Sequence, residues 1–489
     1  MADPADSADG TGDLRIVIAG AGFAGLTALS ELARLRRRHR FPAGSRVQVT
    51  LVDQNSYSTF QPLLYQVATA GLTASDVAYP AWTAVRKAGA HFRKGEITGL
   101  DTDRRQLLLR DGSVLDYDYL ILATGVSAAF FGVTGAAENA LSLYTRRDAI
   151  ILRDQLMSEL ERRSAEGDTS DLNVTVVGGG ATGVEVAGTL AELRNIALPA
   201  SFPEIDPARM HVRLIELGPA LIAPFAEPLR QYAKRQLLDR GVDVRLRTEI
   251  AEVAKDHVRL VGESHGAGSA VAGGDGPGGD GPGGDRPGGD RPGGDGSRSD
   301  KSRDDGSRGD GPGGDESGGE VLPSDVTVWA AGITAPEWIG KIGLPAGRGG
   351  RLRTRPDLSV IGQDRVFAAG DIAVIDGDPQ PQLAQPAIQH GRHAAQQISR
   401  LATGQPTQPF SYKDKGIMAT IGHRSAVVEL PSRIRATGTL AWLAWLGLHL
   451  ITLLGGRNRI SALVNLTWRY LTWSRGGGVI VGDDPVPRP

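Results

Sequence analysis

The chain has 489 residues, too many for one ordinary domain, with no cysteine and a formal net charge of −2. The missing cysteine excludes a disulfide scaffold, thiolate metal sites, cysteine-held iron–sulfur clusters and thiol relays, so any redox chemistry belongs to a bound cofactor. The near-neutral charge hides unlike parts: residues 262–320 hold 23 of the 66 glycines and carry −7, while the remaining 430 residues carry +5, all attributable to seven Arg against two Asp in 430–489.

The acidic first thirteen residues lack the apolar run of a secretory leader and the Arg-rich pattern of a transit peptide, and read as a disordered start to a cytosolic chain. From Leu14 an apolar strand leads into Gly20-Ala-Gly22-Phe-Ala-Gly25, then into Leu26, Leu29, Leu32, Ala33 and Leu35 at helical spacing. A second strand, Val47–Val52, ends at Asp53. The unit returns later as strand Asn173–Val177, glycines Gly178, Gly180 and Gly183, helix Val184 to Leu193, and a strand Val212–Ile215 that ends at Glu216. A glycine pattern alone is weak evidence, but each copy follows a strand, opens a helix and is answered by an acid. Gly20 or Gly178 makes the tight turn, Gly22 or Gly180 admits a pyrophosphate, and Gly25 or Gly183 lets helix pack on strand. Asp53 and Glu216 would accept ribose hydroxyls, and a carboxylate repels a 2′-phosphate, which favours NAD over NADP at the second site.

Two apolar strands, from Tyr119 to Thr124-Gly125 and from Thr327 to Ala331-Gly332, end in small residues that suit backbone lying against a cofactor where the chain crosses between domains. Arg365–Asp371 ends in Gly370-Asp371, placing a carboxylate where a flavin's ribityl or pyrophosphate arm would lie. Residues 273–297 repeat Gly-Gly-Asp-(Gly/Arg)-Pro without the apolar residue a solenoid turn needs, and read as a flexible loop between strand-like Val258–Val261 and Val326–Trp329. The uncharged stretch Ala436–Gly456, 21 residues between Arg435 and Arg457, is long enough as one helix to cross a bilayer. On a helical projection Gly438, Trp445, His449, Thr452 and Gly456 nevertheless share a side, which suits a helix lying in an interface or packed on protein. Next, Ser461, Asn465, Arg469 and Thr472 lie opposite Ile460, Leu463, Val464, Tyr470 and Leu471. Four of the seven Trp (Trp442, Trp445, Trp468, Trp473) fall here, and no acid occurs between Glu429 and Asp483. That composition reads as an anchor on an anionic membrane surface; the alternative is a helical pair covering the core or a dimer interface.

Together these elements resemble the two-dinucleotide-binding-domain flavoproteins, with the absent cysteine setting the chain apart from disulfide reductases and sulfide:quinone oxidoreductases. A closer resemblance lies in Asp53–Ala70, in Val177-Gly-Gly-Gly-Ala-Thr-Gly-Val-Glu185-Val-Ala-Gly, in Ala384-Gln385-Pro-Ala-Ile-Gln389, in Tyr412–Gly422, and in Trp445-Leu-Gly-Leu-His449-Leu followed by Arg457-Asn458-Arg459. These look like signatures of type II, non-proton-pumping NADH:quinone oxidoreductases, over about residues 14–480 apart from the acidic insertion.

The resemblance implies an α/β fold of two Rossmann-like domains: an FAD domain at 14–140 and 333–435, an NADH domain at 141–332 with a disordered insertion at 262–320, and a membrane-associating region at 436–489. It implies a monotopic, homodimeric respiratory enzyme on the cytoplasmic membrane face, in which noncovalent FAD takes hydride from NADH and passes electrons to a membrane quinone. FAD would be held by Gly20, Gly22, Gly25, Asp53, Pro62, Thr124, Gly125, Gly370 and Asp371, and NADH by Gly178, Gly180, Gly183, Glu216 and Gly332. Gln385 and Gln389 match the family's quinone motif, on successive turns where both amides can face one ring; Glu185 matches a proton-relay position and Lys415 a lysine near the quinone. Read without the family, Glu185 is a helix-dipole partner, Lys415 a surface salt bridge, the two amides exposed helix residues, and Pro62 a turn former. Two other functions fit the same features: a soluble NAD(P)H:FAD oxidoreductase with another acceptor, or a membrane-bound redox sensor or scaffold. With its net positive charge confined to a Trp-rich tail, nothing points to nucleic acid.

Overall fold

The computed structural model describes residues 13–261 and 319–472; residues 1–12, the insertion 262–318, everything from Trp473 on and the side chains of Tyr470, Leu471 and Thr472 lie outside it. Among the described residues, the helices of eight or more residues are α1 Phe23–Arg37, α2 Ala81–Ala88, α3 Arg146–Glu166, α4 Ala181–Glu192, α5 Glu227–Asp239, α6 Ala384–Ala402, α7 Gly438–Thr452 and α8 Gly456–Thr472.

Two five-stranded parallel sheets are built to one plan. In the first, Val366–Ala368, Tyr119–Leu122, Leu14–Ala19, Val47–Asp53 and His91–Lys94 lie side by side. In the second the order is Ala140–Ser142, Val326–Trp329, Leu172–Val177, Met210–Glu216 and Val242–Leu246. Unbroken buried runs such as Ile16–Ala19 and Val174–Val177 follow from burial on both faces of a parallel sheet. One face of the first sheet packs on α1, α2 and α6; the other is covered by an antiparallel meander, Ile97–Asp101, Gln106–Leu109 and Val114–Asp116. The second sheet has α3, α4 and α5 on one face and the meander Ile250–Val253, His257–Leu260 and Val321–Pro323 on the other. The crossing segments Ser127–Ala128 and Ile333–Thr334 pair antiparallel.

The insertion therefore interrupts a hairpin: Val258 pairs with Leu322 and Arg259 with Val321, a strand nearer than the Val326–Trp329 expected.

The C-terminal region departs from the sequence expectation in one respect. Ala436–Gly456 is not a single helix: Arg435–Thr437 is a strand beside Ser425–Glu429, α7 has 15 residues, and a turn at 453–455 precedes α8. Gly438, with φ at +74°, separates strand from helix, and fifteen residues span about 22 Å, short of a hydrocarbon core of about 30 Å. Among the described residues no helix is long and apolar enough to cross a membrane. Both helices turn polar or aromatic residues inward. Trp445 and His449 of α7 enter the core, while Leu440, Leu443, Leu448 and Ile451 are exposed. On α8 the Ser461 hydroxyl and the Asn465 amide donate to the buried Asp76 carboxylate at 2.5 and 2.8 Å, and Arg469 donates to Gln66. Ile460, Leu463, Val464 and Trp468 face out, at 50–66 % exposure.

Candidate active site

The glycines of the two fingerprints play the same three parts. Gly20 and Gly178 sit at φ of +111° and +103°, and a Cβ on either would strike backbone of the next strand's end, Ala123 O at 2.2 Å and Ala331 Cα at 2.6 Å. A Cβ on Gly25 or Gly183 would fall 1.8 Å from the carbonyl oxygen of Gly20 or Gly178, so only glycine lets α1 and α4 start this close to their strands. Gly22 and Gly180 differ: nothing lies within 4 Å of a Cβ there, leaving the helix N-terminus open to an anion. Both acids also match. Asp53 accepts the Ala21 and Asn55 N–H groups, each at 2.7 Å, and Glu216 accepts those of Gly179 at 2.5 Å and Gly218 at 2.6 Å. Each carboxylate thereby fixes its glycine turn and retains lone pairs for a sugar hydroxyl. Burial raises the Asp53 carboxyl above its ordinary range despite these donors.

At the first cradle three more segments converge on Tyr144. Burial and the nearby Asp371 charge push its hydroxyl up to about 12, while Gln61 and the Val126 backbone counteract them. A Cβ on Gly125, itself at φ +69°, would lie 3.4 Å from that hydroxyl. Gln61 opens the short helix Gln61–Leu63, with Pro62 as its second residue. Tyr144 is held in turn by Asp148, whose carboxylate accepts its N–H at 3.0 Å and that of Thr145, the N-cap of α3, at 2.9 Å. Asp371 receives no hydrogen bond on its carboxylate from the described residues; burial pushes it up to about 6, with Arg351 offsetting part of the effect. Gly370, at φ +80°, donates its N–H to His390 Nδ1 at 3.2 Å. Thr124 Oγ1 is buried without a partner. Gly332 marks the second crossing, where a Cβ would meet the Phe131 ring at 2.2 Å.

Glu185 is not in the first turn, as a dipole partner would be, but is the fifth residue of α4 and is buried. Gly188 explains this: its missing side chain lets the strand Ile417–Gly422 lie against α4, since a Cβ would come within 2.1 Å of Ile421 O. Thr420 N–H then reaches Glu185 Oε1 at 3.4 Å, too long to offset desolvation, and burial pushes the carboxyl up to about 8. The proton is therefore retained at neutral pH.

Gln385 and Gln389, four residues apart, share a face of α6 but differ in their bonding. Gln389 donates to Lys413 O at 2.9 Å and accepts Lys413 N–H at 3.0 Å, so its amide is consumed in latching the segment before Lys415. Gln385 Oε1 is buried and unpartnered. Both ends of the Gln389 amide are thus engaged by the Lys413 backbone, whereas Gln385 keeps an acceptor open. Lys415 itself is exposed.

The sequence pattern of the pyridine nucleotide-disulphide oxidoreductases matches residues 14–273 and 303–391. A type II NADH:quinone oxidoreductase of Mycobacterium tuberculosis is 31% identical over 477 residues, covering 94% of this chain and 89% of its own length. The chain belongs to the type II NADH:quinone oxidoreductases. A Staphylococcus aureus member is 25% identical over 84% of this chain and 89% of its own. The structure of the Plasmodium falciparum NDH2 with NADH superposes with a TM-score of 0.74 at 17% identity, covering 96% of this chain and all of that one, a likeness of fold.

The residues of this type II oxidoreductase fit its FAD and NADH. Two helix N-termini stay open beside Gly22 and Gly180, Thr124 Oγ1 lacks a partner, and Asp371 has its acceptors unused. Two positions that shape the site escaped the sequence, Tyr144 and Gly391, whose Cβ would fall 2.0 Å from Ala24 O where α6 crosses α1; Gly188 stood in the quoted signature with no part assigned to it. The glycines inside helices were a visible signal. Tyr144 had only the Thr145–Asp148 capping box behind it to mark its place.

Proposed function

We infer that this chain oxidises NADH and reduces a membrane quinone through bound FAD, without pumping protons, while resting on the cytoplasmic leaflet by the outer faces of α7 and α8. The family supplies the reaction and both nucleotides. The observation that carries its assignment to residues is the pair of matched cradles, each with an open helix N-terminus and an acid fixed to its own glycine turn. The flavin supplies two-electron chemistry, taking up hydride and releasing electrons with protons.

The chain's part is positioning. Gly20, Gly22, Gly25, Asp53, Pro62, Thr124, Gly125, Gly370 and Asp371 hold FAD; Gly178, Gly180, Gly183, Glu216 and Gly332 hold NADH. Gln385 offers its free carbonyl oxygen toward the acceptor, and Gln389 latches the segment carrying Lys415. Glu185, protonated at neutral pH, is the internal proton store, matched to a reaction that delivers protons to a quinone. The domain boundaries remain those read from the sequence, with 436–489 as the membrane-associating region and a homodimer as the assembly.

Anchoring is supported by the inverted polarity of α7 and α8, with polar groups bonded inward and large apolar side chains outward. The deciding experiment is steady-state NADH oxidation by the flavin-loaded protein with a short-chain quinone. Turnover dependent on quinone is expected; flavin that NADH bleaches anaerobically but no quinone reoxidises would overturn the reading.

A further inference from the structure

We propose that α2 is a second lipid contact, seating Trp82, Arg86 and Lys87 among the headgroups of an anionic bilayer beside the footprint of α7 and α8. The inference rests on the reading of those two helices as a membrane face. α2 buries Ala81, Val85 and Ala88 and turns Trp82, Arg86 and Lys87 outward. Trp82 is 50 % exposed, and the Arg86 guanidinium lies over its ring, 5.3 Å from the centroid. Lys87 Nζ sits 5.9 Å from the Tyr79 ring centroid and 3.3 Å from its hydroxyl. Aromatic rings paired with cations at a surface are the chemistry of the membrane–water boundary, where the ring lies at the headgroup level and the cation meets phosphate.

The placement of α2 joins this cluster to the turn between α7 and α8. A Cβ on Gly455 in that turn would lie 3.1 Å from the Tyr79 ring, and Asn458 Nδ2 donates to Ala78 O at 2.7 Å. Leu454 packs on the core that holds Ala81 and Val85. The exposed Arg457 and Arg459 follow the same turn, and neither α2, α7 nor α8 contains an acid. Four outward cations and two aromatic rings thus border the exposed apolar rows of α7 and α8, a charge pattern that selects an anionic lipid surface over a neutral one.

The absence of cysteine makes the test clean, because one introduced thiol can be labelled on the full flavin-loaded chain. An environment-sensitive fluorophore is placed at Trp82→Cys and, separately, at Leu440→Cys on α7, and each protein is mixed with phosphatidylglycerol-containing or pure phosphatidylcholine vesicles. Both labels are expected to shift to the blue on the anionic vesicles and to be quenched by a lipid-borne quencher. A response at 440 without one at 82 overturns the α2 contact and leaves the α7–α8 reading standing; silence at both positions overturns both. A response at 82 that follows protein concentration without vesicles assigns the face to a second copy and overturns the proposal. In parallel, Arg86→Glu with Lys87→Glu should weaken partition onto anionic vesicles by roughly tenfold or more while turnover with a soluble quinone is unchanged. Undiminished partition would also overturn it.

Discussion

Glu185 couples stability to pH in a direction opposite to that of a salt-bridged carboxylate. Its folded value of about 8 stands above the ordinary 4.5, so between those values the folded chain holds a proton that the unfolded chain has released. The contribution is full below pH 4.5 and is lost as pH rises through 8. Glu185→Gln, which mimics the protonated form, should therefore melt at the same temperature as the parent at about pH 4 and higher than the parent at about pH 9. Equal melting differences at both values would show that the carboxyl ionises freely. The two glutamines separate by kinetics. Gln385→Leu removes an unpartnered acceptor and should raise the KM for quinone, whereas Gln389→Leu frees the Lys413 segment and should lower kcat for quinone reduction. In both variants anaerobic reduction of the flavin by NADH should be preserved. The fingerprint residues were legible because their chemistry lies in residue type: only glycine tolerates a Cβ-forbidding contact at 1.8 Å or a φ above +100°. Burial of Glu185 was not legible, since it depends on a strand 235 residues away.

Among the elements, α8 shows most plainly what periodicity can and cannot say. Ser461, Asn465 and Arg469 fall on one face and Ile460, Leu463 and Val464 on the other, as the spacing predicts. Which face meets the protein is decided by Asp76 and Gln66, buried acceptors nearly 400 residues upstream. Asp76→Ala strands two donors at that contact and should cost about 2 kcal/mol or more locally. Amide exchange is expected to quicken in α8 while α1 and α4 keep their protection; uniform loss across the chain would instead mean global unfolding. The single long apolar helix at Ala436–Gly456 failed for a comparable reason. Hydropathy over 21 residues does not register that Arg435–Thr437 completes a sheet with Ser425–Glu429, so that α7 can begin only at Gly438.

Across the whole molecule, duplication of one plan accounts for how much the sequence revealed. Each half repeats strand, glycine turn, helix and acid-ended strand, and each sheet carries helices on one face and a meander on the other. The second meander also explains why an insertion of this size is tolerated, because strand pairing at Arg259 and Val321 holds its ends together. Deleting residues 264–318 should leave NADH turnover unchanged and raise stability by about 2 kcal/mol from the shorter loop. A fall in kcat would assign the insertion a role in the reaction. The inward polar face of α8 carries a practical corollary for purification. If α7 and α8 rest on lipid as proposed, high-salt washing screens only the cationic border, and the enzyme should stay with the sedimented fraction. On the proposed membrane face, a mild nonionic detergent would replace lipid at Leu440, Leu443, Leu448 and Trp468 without competing for Asp76, and should release the enzyme active, with α8 still bonded to the body of the protein.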